Sequence, residues 1–213
     1  MARVFVLVED ETGRHTGRGS SFGILLAYAL RDAGPEDWRG PINLQFPVHD
    51  AEFEMSRTYE LLHLGGDQHG PKTKRPALHA ILGWHASDLE WLTREHLATT
   101  VEAALKAMGL KDHQCVWVAH TDTGRPHVHI VANLVHPETG RIARLGLTKK
   151  RMSEFCAAYE QRLRDVRCPK RFIPKAANEN RNRIPKHRWE RAGQASVRQA
   201  DKQKASTSPA PRP

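Results

Sequence analysis

Alternation and periodicity of apolar positions divide most of the chain into short strands and helices. RVFVLV (3–8) reads as a buried strand, rich in β-branched and aromatic residues. The Gly- and Arg-containing loop RHTGRGSS then hands over to a helix capped by Ser20 or Ser21 and ended by Gly34 and Pro35. PINLQFPV follows as a strand broken by Pro47, AEFEMSRTYELLHL as a helix ending at Gly65 and Gly66, and ALHAILGW, after a polar loop, as another strand. The clearest helix covers residues 93–108: Leu97, Val101, Ala104, Leu105 and Met108 form one stripe, and Gly109 supplies the stop. CVWVAH and HVHIVANLV are two strands joined by a short turn. A last helix, about residues 149–166, places Met152, Phe155, Cys156, Tyr159 and Leu163 on its buried face. Short strands interleaved with helices, one tight hairpin among them, predict an α+β fold with a central, largely antiparallel sheet flanked by helices.

Composition refines this outline. A chain of 213 residues with 39% hydrophobic content supports one well-packed domain, assigned here to residues 1–174. Residues 175–213 turn polar and basic and close on STSPAPRP. They hold too little apolar surface to offset the entropy of ordering, so a disordered tail is expected. That tail carries ten Lys and Arg against three Asp and Glu, so +7 of the total charge of +9 belongs to it and +2 to the body. Net charge therefore speaks about equally for a nucleic-acid partner and for a solvated tail. Three cysteines (Cys115, Cys156, Cys168) without a CxxC pair argue against a disulfide framework and for a reducing cytosol. The longest apolar run, FGILLAYAL, is far short of the roughly 20 residues of a membrane span, and MARVFVLVEDE becomes acidic too early for a secretory signal.

The candidate chemistry lies in HTDTGRPHVHIVANLVH (120–136), which holds four of the 13 histidines. Side chains alternate along a strand, so His127, His129, Val131 and Asn133 share one face, with the two imidazoles about 7 Å apart at Cα. Val128, Ile130, Ala132 and Leu134 share the other, which has the character of a core face. If the turn pairs His120 with His127, a third imidazole emerges beside the first two. Three neutral imidazoles converging on one point leave open positions on a bound cation, as a catalytic metal site requires, and they suit several divalent ions. His136 falls on the opposite face and reads as structural. An H-x-H pair alone is also compatible with a His-rich composition. The alternating three-histidine pattern of the histidine-triad hydrolases is absent, because Val131 stands where its third histidine would be.

Tyr28 is the second candidate. In the first helix Phe22, Leu25, Leu26, Ala29 and Ala33 make one stripe, and Tyr28 falls roughly 120° from its centre, free to face a cleft. Tyr159 sits within a buried stripe, and Tyr59 in a less decisive segment.

Three blocks in order, GRGSSFGILLAY, PALHAILGWH and LKDHQCVWVAHTDTGRPHVHIVANLVHPETGR, give the chain a resemblance to the conjugative relaxases, or mobilisation nucleases, which include the bacterial T-DNA border endonuclease and belong to the HUH endonuclease superfamily. The third block carries the most specific pattern: H-x-D-T, then P-H-x-H-x-x-x-N, then V-H-P-E-T-G-R. The resemblance covers about residues 18–170. Tyr28 also precedes the histidines, the chain order of relaxases rather than of rolling-circle initiators.

The resemblance implies a HUH relaxase-like fold and a bacterial, cytoplasmic enzyme that nicks and rejoins single-stranded DNA at an origin of transfer. Tyr28 matches the nucleophile, which forms a 5′-phosphotyrosyl link, and His120, His127 and His129 match the triad that holds a divalent ion (Mg, Mn or Zn). Asp122 and Asn133 match family positions without an assigned role; Asp122, close to His120, reads equally as a catalytic-site carboxylate that orients an imidazole and as an exposed turn residue, and Asn133 is a candidate DNA contact. Arg14, Arg18, Arg144, Lys149 and Lys150 flank the site and read equally as phosphate contacts and as solvated surface charge, Ser87 or His85 are weaker DNA contacts, and Trp84 is a candidate base-stacking ring, whereas Trp117, in a strand, reads as core before stacking. Accessory relaxosome proteins and a type IV coupling protein are the implied partners; membrane insertion is not expected. Two other readings stay open. One is a DNA-binding module of relaxase ancestry that does not cut, indifferent to metal; the other is a metal-dependent hydrolase using water, indifferent to Tyr28.

Overall fold

The structure, a computed structural model, describes residues 3–5, 18–31, 38–66, 72–121, 124–146 and 148–166, with only the backbone for residues 3–5, Arg18 and Lys149. Its frame is an antiparallel sheet. Strands β1 (Arg3–Phe5), β2 (Arg18–Gly19), β3 (Arg39–Ile42), β4 (Ala77–Gly83), β5 (Cys115–His120) and β6 (His127–Asn133) are arranged β1-β4-β6-β5-β3, with β2 also on β4. Every one of these pairings is antiparallel.

Alternation along β4, β5 and β6 gives the sheet two apolar faces, each covered by helices. On one face Leu78, Ala80, Leu82, Trp117, Val128, Ile130 and Leu134 pack with α3 (Arg94–Met108) and α4 (Thr148–Arg162). On the other Val116, Val118 and Val131 pack under α1 (Phe22–Leu30) and α2 (Ala51–Thr58). The α+β class with a central antiparallel sheet is therefore as the alternation predicts. The polar face of β6 is not open, however: α1 roofs it, and His129, Val131 and Asn133 are buried. At the β3 edge the backbone runs close against a core ring. A Cβ on Gly40 would lie 2.9 Å from Trp117 Nε1, so that position admits only glycine without a shift.

Local signals set the helix ends. Ser21 caps α1 by accepting from the Ile24 amide, and Thr93 caps α3 through His96. Within the described residues α1 ends at Leu30, short of Gly34 and Pro35, which lie outside them. The helix read over 51–64 changes type: α2 passes into a π-helical turn at Tyr59–Leu64. There Tyr59 donates to the Thr73 carbonyl, and His63 bridges the Gly140 carbonyl and the Thr73 amide. The strand expected over PINLQFPV stops at Ile42. Asn43 takes a positive φ of 52°, and the Glu54 carboxylate accepts from the amides of Gln45 and Phe46, which holds that segment off the sheet. Leu163 lies past the end of α4 and is exposed, whereas Met152, Cys156 and Tyr159 are buried. No described helix is long and apolar enough to cross a membrane. The expectations for residues 6–8, 175–213 and the loop residues 14–17 lie outside the described residues.

Gly109 ends α3 in the left-handed region, φ 79°, where its amide reaches back to the carbonyls of Leu105 and Lys106. A Gly109→Ala substitution places a Cβ in that conformation and is expected to lower stability by about 1–2 kcal/mol, measured by urea unfolding, with no change in the affinity for divalent metal.

Candidate active site

Hairpin register brings the histidines together. β5 and β6 pair with His120 directly opposite His127 and Val118 opposite His129, so all three imidazoles rise on the α1 side of the sheet. Their ring centroids form a nearly equilateral triangle: 5.2 Å for His120–His127, 5.0 Å for His127–His129 and 4.6 Å for His120–His129. One nitrogen from each ring lies within 4.8 Å of those of the other two.

One nitrogen of each ring is hydrogen-bonded. His120 Nε2–H donates to the Ala29 carbonyl at 2.7 Å, and His127 Nδ1–H donates to the Arg125 carbonyl at 3.1 Å. A carbonyl can only accept, so these bonds fix the tautomers: His120 offers a bare Nδ1 and His127 a bare Nε2. His129 Nδ1 lies 2.7 Å from Nε2 of His79, a buried histidine on β4. Burial first, then the neighbouring imidazoles, hold the His129 pKa down at about 3, and burial holds His79 at about 4. Both rings are thus neutral at physiological pH. Three imidazoles, two of them buried and each with one nitrogen hydrogen-bonded, suit a divalent cation in both chemistry and orientation.

The Ala29 carbonyl belongs to the last turn of α1, where helix carbonyls lack intrahelical partners. His120 satisfies one of them and so ties the histidine cluster to the helix that carries Tyr28. The Tyr28 ring meets His129 and His79 edge-on, with centroids 5.6 and 5.7 Å away. It is 49% exposed, so its phenol reaches solvent. The Arg31 guanidinium lies 5.5 Å from the centre of the same ring.

The other candidate residues divide. Arg18 pairs with Leu78, the neighbour of His79, and Ser87 is exposed four residues beyond Gly83, which pairs with His127. Ser87 Oγ contacts His85 Nδ1. Asn133 is a correction. It is fully buried, with its amide nitrogen donating to the Met55 carbonyl and Gln114 Oε1 and its oxygen accepting from Val135, so it holds the fold and does not face DNA. Trp84 and Trp117 are also core residues, 3% and 2% exposed, and Trp84 Nε1 donates to the Tyr159 hydroxyl. Arg144 sits beyond the other end of β6, where Ala143 bonds Leu134, about 20 Å along the strand from His127. Lys149 and Lys150 open α4, which packs on the opposite face of the sheet, and Lys150 pairs with Glu154 at 3.7 Å. The structure does not bring these three to the cluster. Asp122 and Arg14 lie outside the described residues. The residue that sequence reasoning missed is His79. Its signal was present in ALHAILG, where it stands out of phase with Leu78, Ala80 and Leu82.

Comparison with known proteins agrees with this arrangement. Residues 46–164, just over half of the chain, match the family described as Relaxase: MobA/VirD2-like, nuclease domain. The match includes His79 and the three clustered histidines but begins after Tyr28. A 78-residue stretch, 37% of this chain, is 31% identical to Protein MobA of Acidithiobacillus ferrooxidans and spans 19% of that protein. No solved structure matches significantly.

The lowered pKa values have a consequence for stability. As pH falls below about 6.5, unfolded chains protonate these histidines, while folded His79 and His129 stay neutral until about 4 and 3. Stability of the metal-free protein is therefore expected to drop as pH falls through this window, by up to about 1.4 kcal/mol per pH unit for each group. Urea midpoints in chelator checks this, and His129→Gln is expected to flatten the decline.

Proposed function

The chain belongs to the MobA/VirD2-like relaxase nuclease-domain family, and from that premise we propose that it nicks and rejoins single-stranded DNA at a plasmid origin of transfer. In this reading Tyr28 is the nucleophile, and His120, His127 and His129 hold a divalent cation. The observation that carries it is the meeting of a half-exposed phenol with three converging imidazoles.

The chemistry suits these groups. A phenol with a pKa near 10 is a weak nucleophile at neutral pH and needs a strongly polarised phosphate. A divalent cation on three neutral ligands would supply several kcal/mol of charge stabilisation to the phosphate oxygens, undiminished by ligand carboxylates. Tyr28 Oη attacks phosphorus. The Oη–P bond forms as the P–O3′ bond breaks; the phenol proton passes to solvent, and the 3′ oxygen takes up a proton from solvent and leaves as a hydroxyl. A phosphodiester is exchanged for a phosphodiester, so the reverse attack by the 3′-OH reseals the strand at little net free-energy cost. The Arg31 guanidinium, 5.5 Å from the centre of the Tyr28 ring, adds positive charge beside that ring. Arg18 and Ser87 serve as DNA contacts near the cut, and Arg144, Lys149 and Lys150 serve only away from it. Asp122, two residues after His120 in the sequence, is assigned to the catalytic site. Accessory relaxosome proteins and a type IV coupling protein are the partners this activity calls for.

Incubating the full chain with 3′-labelled, random-sequence single-stranded DNA and Mn²⁺ tests the reading. The expected product is covalent and protease-sensitive. It should vanish in Tyr28→Phe and fall by on the order of a hundredfold or more when His127 and His129 are both alanine. An adduct formed by Tyr28→Phe at the wild-type rate contradicts it, as does a free 5′-phosphate product indifferent to Tyr28.

A further inference from the structure

His79 stands one register step from the cluster. On β4 it pairs directly with Val131, and Ile81 pairs with His129, so His79 and His129 are diagonal neighbours on the face that α1 covers. Their ring planes lie within 16° of each other with centroids 4.9 Å apart, while the nearest nitrogens are 2.7 Å apart. The rings therefore meet edge to edge through a nitrogen–nitrogen hydrogen bond rather than face to face. Only one proton can sit in that bond. If it is on His129 Nδ1, then His129 Nε2 is bare and joins the nitrogens offered by His120 and His127. If it is on His79, that convergence is lost.

We propose that His79 is a positioning residue of the metal centre: its Nε2 accepts the Nδ1 proton of His129 and fixes His129 in the tautomer whose Nε2 is free for the cation. The assignment rests on the metal reading given above and extends it to a residue outside the triad. His120 and His127 are oriented by backbone carbonyls, which need no particular side chain. Among the described residues, His129 is the one ligand of the three oriented by a side chain, so a single substitution can remove its acceptor. An imidazole in this place also differs in effect from a carboxylate. It orients the ligand without adding negative charge, and leaves the cation's full charge for a phosphodiester.

The full chain, wild type and with His79→Leu or His79→Gln, is titrated with Mn²⁺ by calorimetry, with circular dichroism to check folding. Glutamine carries an acceptor oxygen at nearly the place of Nε2; leucine carries none. Loss of an orienting partner typically weakens metal affinity by roughly 10- to 100-fold, and that is the result expected for His79→Leu, with most of the affinity restored in His79→Gln. Long-range proton–nitrogen NMR of the Zn²⁺-loaded wild type should find the proton on His129 Nδ1 and His79 Nε2 bare. Unchanged affinity in His79→Leu, equal weakening by leucine and glutamine, or a protonated His79 Nε2 in the loaded protein overturns the proposal. A wild type that binds no Mn²⁺ removes the metal reading and this proposal together; a wild type that binds it while His79→Leu is unaffected removes this proposal alone.

Discussion

The pairing register of β5 with β6 is the constraint on which the candidate site depends. Because strand side chains alternate, a slip of one residue would send His127 and His129 into the α3–α4 core and turn Val128 and Ile130 toward α1. The alternative is costly on both sides: two buried imidazoles without partners, and branched apolar chains displaced from a filled core. Val128, Ile130, Ala132 and Leu134 are each fully buried, so the apolar half of β6 fixes where the polar half must point. Packing on one face of the sheet thereby positions chemistry on the other.

Given the register, hydrogen bonds refine the cluster into a donor set. Each of the three imidazoles has one nitrogen committed, to Ala29, Arg125 or His79, and those commitments are unlike in kind. The bond to Ala29 couples the cluster to α1, so that the helix bearing Tyr28 is held by a histidine of the cluster itself. Burial keeps His129 and His79 neutral, which a cation requires of its ligands and which also spares the site mutual repulsion among protonated rings. Phenol, imidazole donors and an exposed approach thus meet at one end of one sheet.

Much of this was legible along the chain, for identifiable reasons. The hairpin and α3 were readable because their apolar periods are regular and their stops explicit: Gly109 sits one residue past the α3 stripe, and His120 and His127 are separated by a turn of suitable length. Tyr28 was readable because it falls off the stripe of α1, and it is indeed half-exposed. Asn133 was misread because strand phase assigns a face but not what covers it; α2, delivered from far earlier in the chain, supplies the Met55 carbonyl that captures it. His79 went unread because its partner is a diagonal neighbour on another strand, a contact no local window contains. The π-helical turn at Tyr59 depends on bonds from His63 and Tyr59 to distant loops, and has no periodic signature.

The account reduces to a cation held by nitrogens from two adjacent strands, within reach of a tyrosine on a helix that one of those histidines fastens. X-ray absorption spectroscopy of the Zn²⁺-loaded full chain measures that ligand set directly. The account predicts three imidazole nitrogens at about 2.0–2.1 Å, with the remaining scatterers being light oxygen atoms. A spectrum with fewer than three imidazoles, or with sulfur at about 2.3 Å, would contradict it.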